Sequence, residues 1–131
     1  MRQQYHSRMV GHQLYIWDVQ KLVEAAHGLA VAHIALNDIK ELDEDYWYDA
    51  KSLPATPRSV AVHAMLMSQC DLDYPIILCE DGKIMDGMHR CCQALIEQRD
   101  SIKAVQFKNT PEPDYIDVNV KDLPHDAPVT L

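Results

Sequence analysis

No run of about 18 apolar residues occurs anywhere in this 131-residue chain, so no segment is a candidate membrane-spanning helix. The amino-terminal stretch MRQQYHSRMVGHQLYIWDVQ has no unbroken apolar segment ahead of a small-residue cleavage site, and the expectation is a cytoplasmic protein without a membrane partner. Basic residues are scarce. Twelve Lys and Arg stand against 20 Asp and Glu for a net charge of -8, and no Lys/Arg block marks a polyanion footprint, which argues against duplex DNA as a partner. The four cysteines, Cys70, Cys79, Cys91 and Cys92, lack CxxC spacing, so they are expected as small buried apolar residues in a reducing compartment. His6, His12, His27, His33 and His125 are scattered without HxxxH spacing, and no structural zinc is expected. Internal repeats and low-complexity tracts are also absent.

What is present is the usage of a soluble globular protein: 47% apolar and 24% charged residues, enough for one domain over 1–131 to bury its own core. Ile16, Val19, Leu22, Val23 and Ala26 fall at helical spacing, which predicts a helix from about Leu14 to His27 with Gly28 as a left-handed cap. LAVAHIAL reads as a strand leading into the acidic, aromatic NDIKELDEDYWYD, where a short helix or turn is expected. Thr56 and Pro57 form a helix start, followed by Val60, Ala64 and Met67 on one stripe to about Cys70. PIILC, the Asp81-Gly82 turn and KIMD read as a hairpin. A third helix is expected from about Met88 to Arg99 with Cys91, Cys92, Leu95 and Ile96 on its buried face, then SIKAVQF as the final strand. The Pro- and Asp-rich 108–131 reads as an extended tail lying over the domain or partly mobile.

The segment DGKIMDGMHR is the chemically suggestive one. A strand ending at Asp86 and a helix starting near Met88 would leave Gly87 to turn the chain without a Cβ in a ligand's way. The bare amides of the helix start and the positive end of its dipole favour an anion, and His89 and Arg90 add donors. Arg suits phosphate through its planar fork. The competing structural reading has Asp86 capping the helix and Arg90 paired with a nearby carboxylate. His63 either reaches this corner or is a hydrogen-bonded histidine at the core edge. Tyr46, Trp47 and Tyr48 either stack a base or cover the core or an interface.

YPIILCEDGKIMDGMHRCCQALIEQRDSIKAVQF resembles the core of the ParB/sulfiredoxin superfamily, in which strand, tight turn, strand, a G-x-x-R helix start and a closing strand form a nucleotide site. ELDEDYW and PEPD extend the likeness to small bacterial ParB-like proteins. The resemblance implies an α+β fold with a small mixed sheet flanked by helices. Partitioning ParB proteins, which bind CTP, have G-x-R-R; Gly87 and Arg90 match its ends and His89 replaces an arginine. They also need a helix-turn-helix DNA domain, for which this chain is too short and too acidic. Sulfiredoxins have G-G-C-H-R, matched at Gly87, His89 and Arg90, but Met88 stands where their nucleophilic cysteine would be, and a thioether cannot do thiolate chemistry. Free serine kinases have D-G-H-H-R, matched at Asp86, Gly87, His89 and Arg90, with an acidic general base after the first strand where this chain has Glu41, Asp43 and Glu44.

The resemblance thus implies phosphate binding by Gly87, Met88, His89 and Arg90, with Asp86 on magnesium or substrate. Glu41, Asp86 and His89 are the implied catalytic residues, Glu41 as general base. The implied ligand is a nucleotide (ATP, ADP or CTP) with magnesium, or another phosphorylated small molecule, and the activity a small-molecule phosphotransferase or nucleotide hydrolase. The alternative is a non-catalytic nucleotide-sensing or protein-interaction module, and a nuclease ranks below both, since no metal cluster or basic groove is evident. A homo-oligomer stays open.

Overall fold

The computed structural model describes residues 2–48, 53–127 and 129–131 and is a mixed α+β fold with two small sheets and three helices. β1 (Tyr5–Val10) and β2 (Gln13–Asp18) pair antiparallel, with His6 opposite Trp17, and the tail strand β7 (Tyr115–Ile116) adds to the other edge of β2. Helix α1 (Val19–Ala26) follows directly, capped by Asp18, whose side chain accepts from the Gln20 amide. The expected helix from Leu14 is therefore half strand. Ile16 is fully buried in β2, where period two also explains Leu14 and Ile16, and the positive φ of Gly11 (61°) reverses the chain before it. Gly28, at φ 89°, does follow the helix in the left-handed conformation.

The second sheet has the order β3-β6-β4-β5. β3 is Ala32–Ala35, β4 Ile76–Leu78, β5 Ile84–Asp86 and β6 Ser101–Gln106. β4 runs parallel to β6, and the β3–β6 and β4–β5 pairs are antiparallel. Two 3-10 turns, Leu36–Asp38 and Lys40–Asp43, follow β3, as the acidic segment suggested. The period of two along these strands divides the core. Ile76, Leu78, Ile84, Ile102 and Ala104 face one cluster with helix α3 (Met88–Ile96), while Ile77, Cys79, Met85, Val105 and Phe107 face another with Trp17, Leu22 and Ala26.

Helix α2 (Pro57–Ser68) starts as the sequence indicates, with the Thr56 hydroxyl accepting from the Ser59 amide and Pro57 in the first turn. Its buried face differs from the expected stripe. Val60 is 51% exposed and Ala64 is exposed, whereas Val62, His63, Leu66 and Cys70 are half-buried, so the inward stripe is rotated. On α3 the buried residues are Met88, Cys91 and Ala94; Leu95 and Ile96, expected inside, are 45% and 63% exposed. Helix α2 carries apolar residues most of the way round, so periodicity alone left its facing open, whereas on α3 the departures, Leu95 and Ile96, lie in the last turn.

SIKAVQF is not the final strand: the tail lies over the domain, as one of the two expectations had it, and adds a strand of its own to β2. The Trp17 indole donates to the Pro111 carbonyl at 2.8 Å, and the Asp114 amide donates to the Ile16 carbonyl at 2.9 Å. The Asp114 carboxylate accepts from the Asp18 amide and Asp117 from the Leu14 amide, both at 2.8 Å. The acidic residues that read as tail chemistry are the partners of an otherwise open β2 edge.

Candidate functional site

The corner forms as its local signals suggest. The Asp81-Gly82 turn closes with the Gly82 amide on the Cys79 carbonyl (2.9 Å), β5 returns to Asp86, and Gly87 takes φ 116°, ψ 20° as the N-cap of α3. No side chain caps this helix, so its first-turn amides are left to other acceptors. A Cβ on Gly87 would lie 2.5 Å from Cγ2 of the fully buried Ile76, so only glycine lets the turn pack against β4. Asp86 through Arg90 line an open cleft of about 1030 Å³, lined elsewhere by residues that include Arg2, His6, Val23 and Met65. Met88 contributes through its backbone, because its side chain is only 5% exposed and belongs to the core.

Arg90 is engaged. Its Nη2 donates to the Asp86 carboxylate at 2.9 Å, and its Nη1 donates to the carbonyls of Tyr74 (3.1 Å) and Pro75 (3.0 Å). Both side chains of the ion pair are largely buried, at 15% and 18% exposure. Burial pushes the Asp86 carboxyl up while the Arg90 charge pulls it down. The ion pair of the structural reading is formed, but Asp86 does not cap the helix. Arg90 therefore secures the entry to β4 and the exit from β5, leaving two of its five N-H groups for a ligand.

His89 meets His63 across the α2–α3 contact, Nε2 to Nδ1 at 2.8 Å, and the Trp47 ring stacks on both, with centroids 4.2 Å from His63 and 4.8 Å from His89. Burial, together with the neighbouring charge of Arg2, lowers both histidines, His89 to about 4. At neutral pH the pair is uncharged, with one proton between the facing nitrogens and the second nitrogen of each ring left over. His63 touches His89 of the corner but does not line the cleft among the described residues, and its half-buried, hydrogen-bonded ring fits the reading of a histidine at the core edge as well. Trp47 covers the core as well as the histidine pair, and Tyr46, whose hydroxyl burial pushes up, lines the cleft.

Glu41 sits on the second 3-10 turn, where its carboxylate accepts from the Ile84 amide at 2.9 Å at the start of β5, and it does not line the cleft among the described residues. Burial raises its carboxyl. Asp43 and Glu44 are exposed. Cys91 is fully buried and its thiol is pushed up to about 12, so it does not replace the missing nucleophile. Among the described residues no group of three or more His, Cys, Asp or Glu side chains is arranged to hold a metal ion. No helix among them is long and apolar enough to cross a membrane.

Two cleft residues carry no motif at all. Arg2 is half-buried and makes no ion pair or hydrogen bond among the described residues. The His6 ring lies tilted against Trp17 with centroids 5.7 Å apart, and its Nε2 is buried without a hydrogen-bond partner. No family model, curated protein or solved structure matches the chain.

The environment of His6 predicts acid lability. Burial, with the nearby Arg8, lowers its pKa to about 4, so between that value and the unfolded value near 6.5 the unfolded chain binds the extra proton. Stability contributed by neutral His6 is whole above about pH 6.5 and is lost as pH falls through 4, a loss of order 3 kcal/mol. Denaturant titrations from pH 7 to pH 4 should show that fall, with His6→Gln reducing its slope. An unchanged slope in the variant would exclude His6 as the cause.

Proposed function

We propose that the protein binds a nucleotide or another phosphorylated small molecule at the Gly87 corner, as the resemblance of Asp86 to Arg90 to the ParB/sulfiredoxin superfamily implies. The observation that carries this reading is the uncapped start of α3, turned by a left-handed Gly87 onto the wall of a large cleft. The amides of Met88, His89 and Arg90 are the donors nearest an anion there, and the remaining Arg90 donors and the neutral His89 ring supplement them. A nucleotide would bring its magnesium on its own phosphates, since the Asp86 carboxylate is already engaged by Arg90. Phosphoryl transfer asks for positioning and charge neutralisation, which this constellation suits. Glu41, with its raised carboxyl, is the candidate base, and the His63–His89 pair a candidate proton path.

The non-catalytic reading is favoured by one observation: the Glu41 carboxylate is held by the Ile84 amide and stands away from the cleft wall. The test is a thermal-shift titration with ATP, ADP and CTP, with and without magnesium, followed by product analysis. A ligand present at about 100 times its Kd should stabilise the protein by about 2.7 kcal/mol. No rise with any of them overturns the nucleotide reading. A rise with product supports the phosphotransferase or hydrolase, and a rise without product supports the sensing module.

A further inference from the structure

The cleft is also lined by Arg2 and Gln4 ahead of β1 and by Tyr5 and His6 at its start, which no sequence pattern connects with the corner. Arg2 lies there without a partner among the described residues, whereas Arg90 has three hydrogen bonds to its own framework. Arg2 lines the same cleft as Asp86 to Arg90, and its charge helps to lower both His63 and His89. Four residues on, His6 lines the same cleft, and its ring Nε2 is buried with no hydrogen-bond partner. Such a nitrogen is costly unless a ligand or water satisfies it. A cleft of about 1030 Å³ far exceeds a bare phosphate, and Val23, Leu29 and Met65 give it an apolar side.

We infer that Arg2, and not Arg90, is the principal cation for the ligand's phosphate, and that the ligand is a nucleoside phosphate whose organic part lies along the apolar side with a polar group on His6 Nε2. The inference rests on the phosphate reading of the corner and adds to it the cation and the class of ligand. The guanidinium can close on the anion from the side opposite the helix start, using two parallel donors. Arg90 meanwhile keeps the turn in shape. The two arginines have different tasks: removing Arg2 costs ligand and little fold, because Arg2 makes no ion pair or hydrogen bond among the described residues.

The experiment is calorimetric titration of the full chain with ATP, CTP and inorganic phosphate, comparing wild type, Arg2→Ala, Arg2→Lys, His6→Phe and Arg58→Ala. Arg58, whose guanidinium donates to the terminal Leu131 carbonyl and does not line the cleft, serves as the charge control. The expected result is a nucleotide Kd raised about ten-fold or more in Arg2→Ala, partly restored by Lys, and unchanged in Arg58→Ala. The ligand-free melting temperature of Arg2→Ala should equal that of wild type. His6→Phe should weaken nucleotide and spare inorganic phosphate. In ligand-free Arg2→Ala, NMR titration should find the His63 and His89 midpoints raised, since the charge that lowers them is gone. Wild-type affinity in Arg2→Ala, an equal loss in Arg58→Ala, or unmoved histidine midpoints would overturn the assignment of Arg2. Inorganic phosphate binding as tightly as nucleotide would overturn the ligand class. A wild-type protein that binds none of the three overturns the phosphate reading of the corner itself, a result distinct from those for Arg2.

Discussion

Gly87→Ala is expected to destabilise the protein by about 3–5 kcal/mol, the sum of a strained backbone and a forced overlap. At φ 116° an L-residue is held far from its allowed regions, and the new Cβ would sit 2.5 Å from Ile76 Cγ2 and 2.9 Å from Ile76 Cβ. Ile76 has no room to yield, being wholly buried between β6 and β5 at the centre of the sheet. The third near atom is Nη2 of Arg90, 3.0 Å away, so the intruding methyl group would also press on the ion pair with Asp86. For a chain of this size the loss corresponds to roughly 10–15 °C in Tm. Gly11→Ala is the matched control. Its φ is also positive, at 61°, but nothing lies within 4 Å of its Cβ, so only backbone strain of about 1 kcal/mol applies. Equal melting shifts in the two variants would disprove the packing argument.

Arg90→Ala should cost about 3 kcal/mol of stability before any ligand is added. Truncation leaves the buried Asp86 carboxylate without its cation and removes the donor shared by the Tyr74 and Pro75 carbonyls. Asp86→Asn relieves the stranded charge, so the double variant should be less destabilised than the sum of the two single changes. Urea titrations of the four species measure the coupling directly. Strict additivity would show that the pair contributes nothing to the fold. A consequence follows for ligand binding. Loss of affinity in Arg90→Ala can arise from a collapsed corner as readily as from a lost phosphate contact, which is why Arg2→Ala and Arg58→Ala are the more informative pair.

The parts of the molecule legible in the sequence are those whose causes lie within a few residues. Thr56 and Pro57 start α2 because a hydroxyl cap and a preset φ act on the first turn alone. Gly82 and Gly87 shape the β4–β5 hairpin and the start of α3 because each turn needs a backbone that glycine adopts cheaply. The candidate corner, from Asp86 to Arg90, could be found on that basis. The β1–β2 hairpin could not, since Ile16, Val19 and Leu22 satisfy a helical period across a boundary that only the pairing of β1 with β2 and of β2 with β7 creates.

Side-chain tasks at the site were decided further still from the local sequence. Arg90 was read as a phosphate ligand or half of an ion pair, and the carbonyls at 74 and 75 that hold it come from the segment leading into β4. His63 and His89 are 26 residues apart and meet only because α2 packs on α3, and Arg2 shares a cleft with His89 only because the chain ahead of β1 passes along it. Local sequence dictates the turns, the caps, the strand–turn–helix order of the corner and the absence of a long apolar span. Packing between distant segments dictates which helix faces are buried, which arginine is engaged and which has no polar partner among the described residues, and that the tail completes a sheet. Caps and turns are settled by short-range sterics and hydrogen bonds, whereas facing and partnership depend on contacts between segments far apart in the chain.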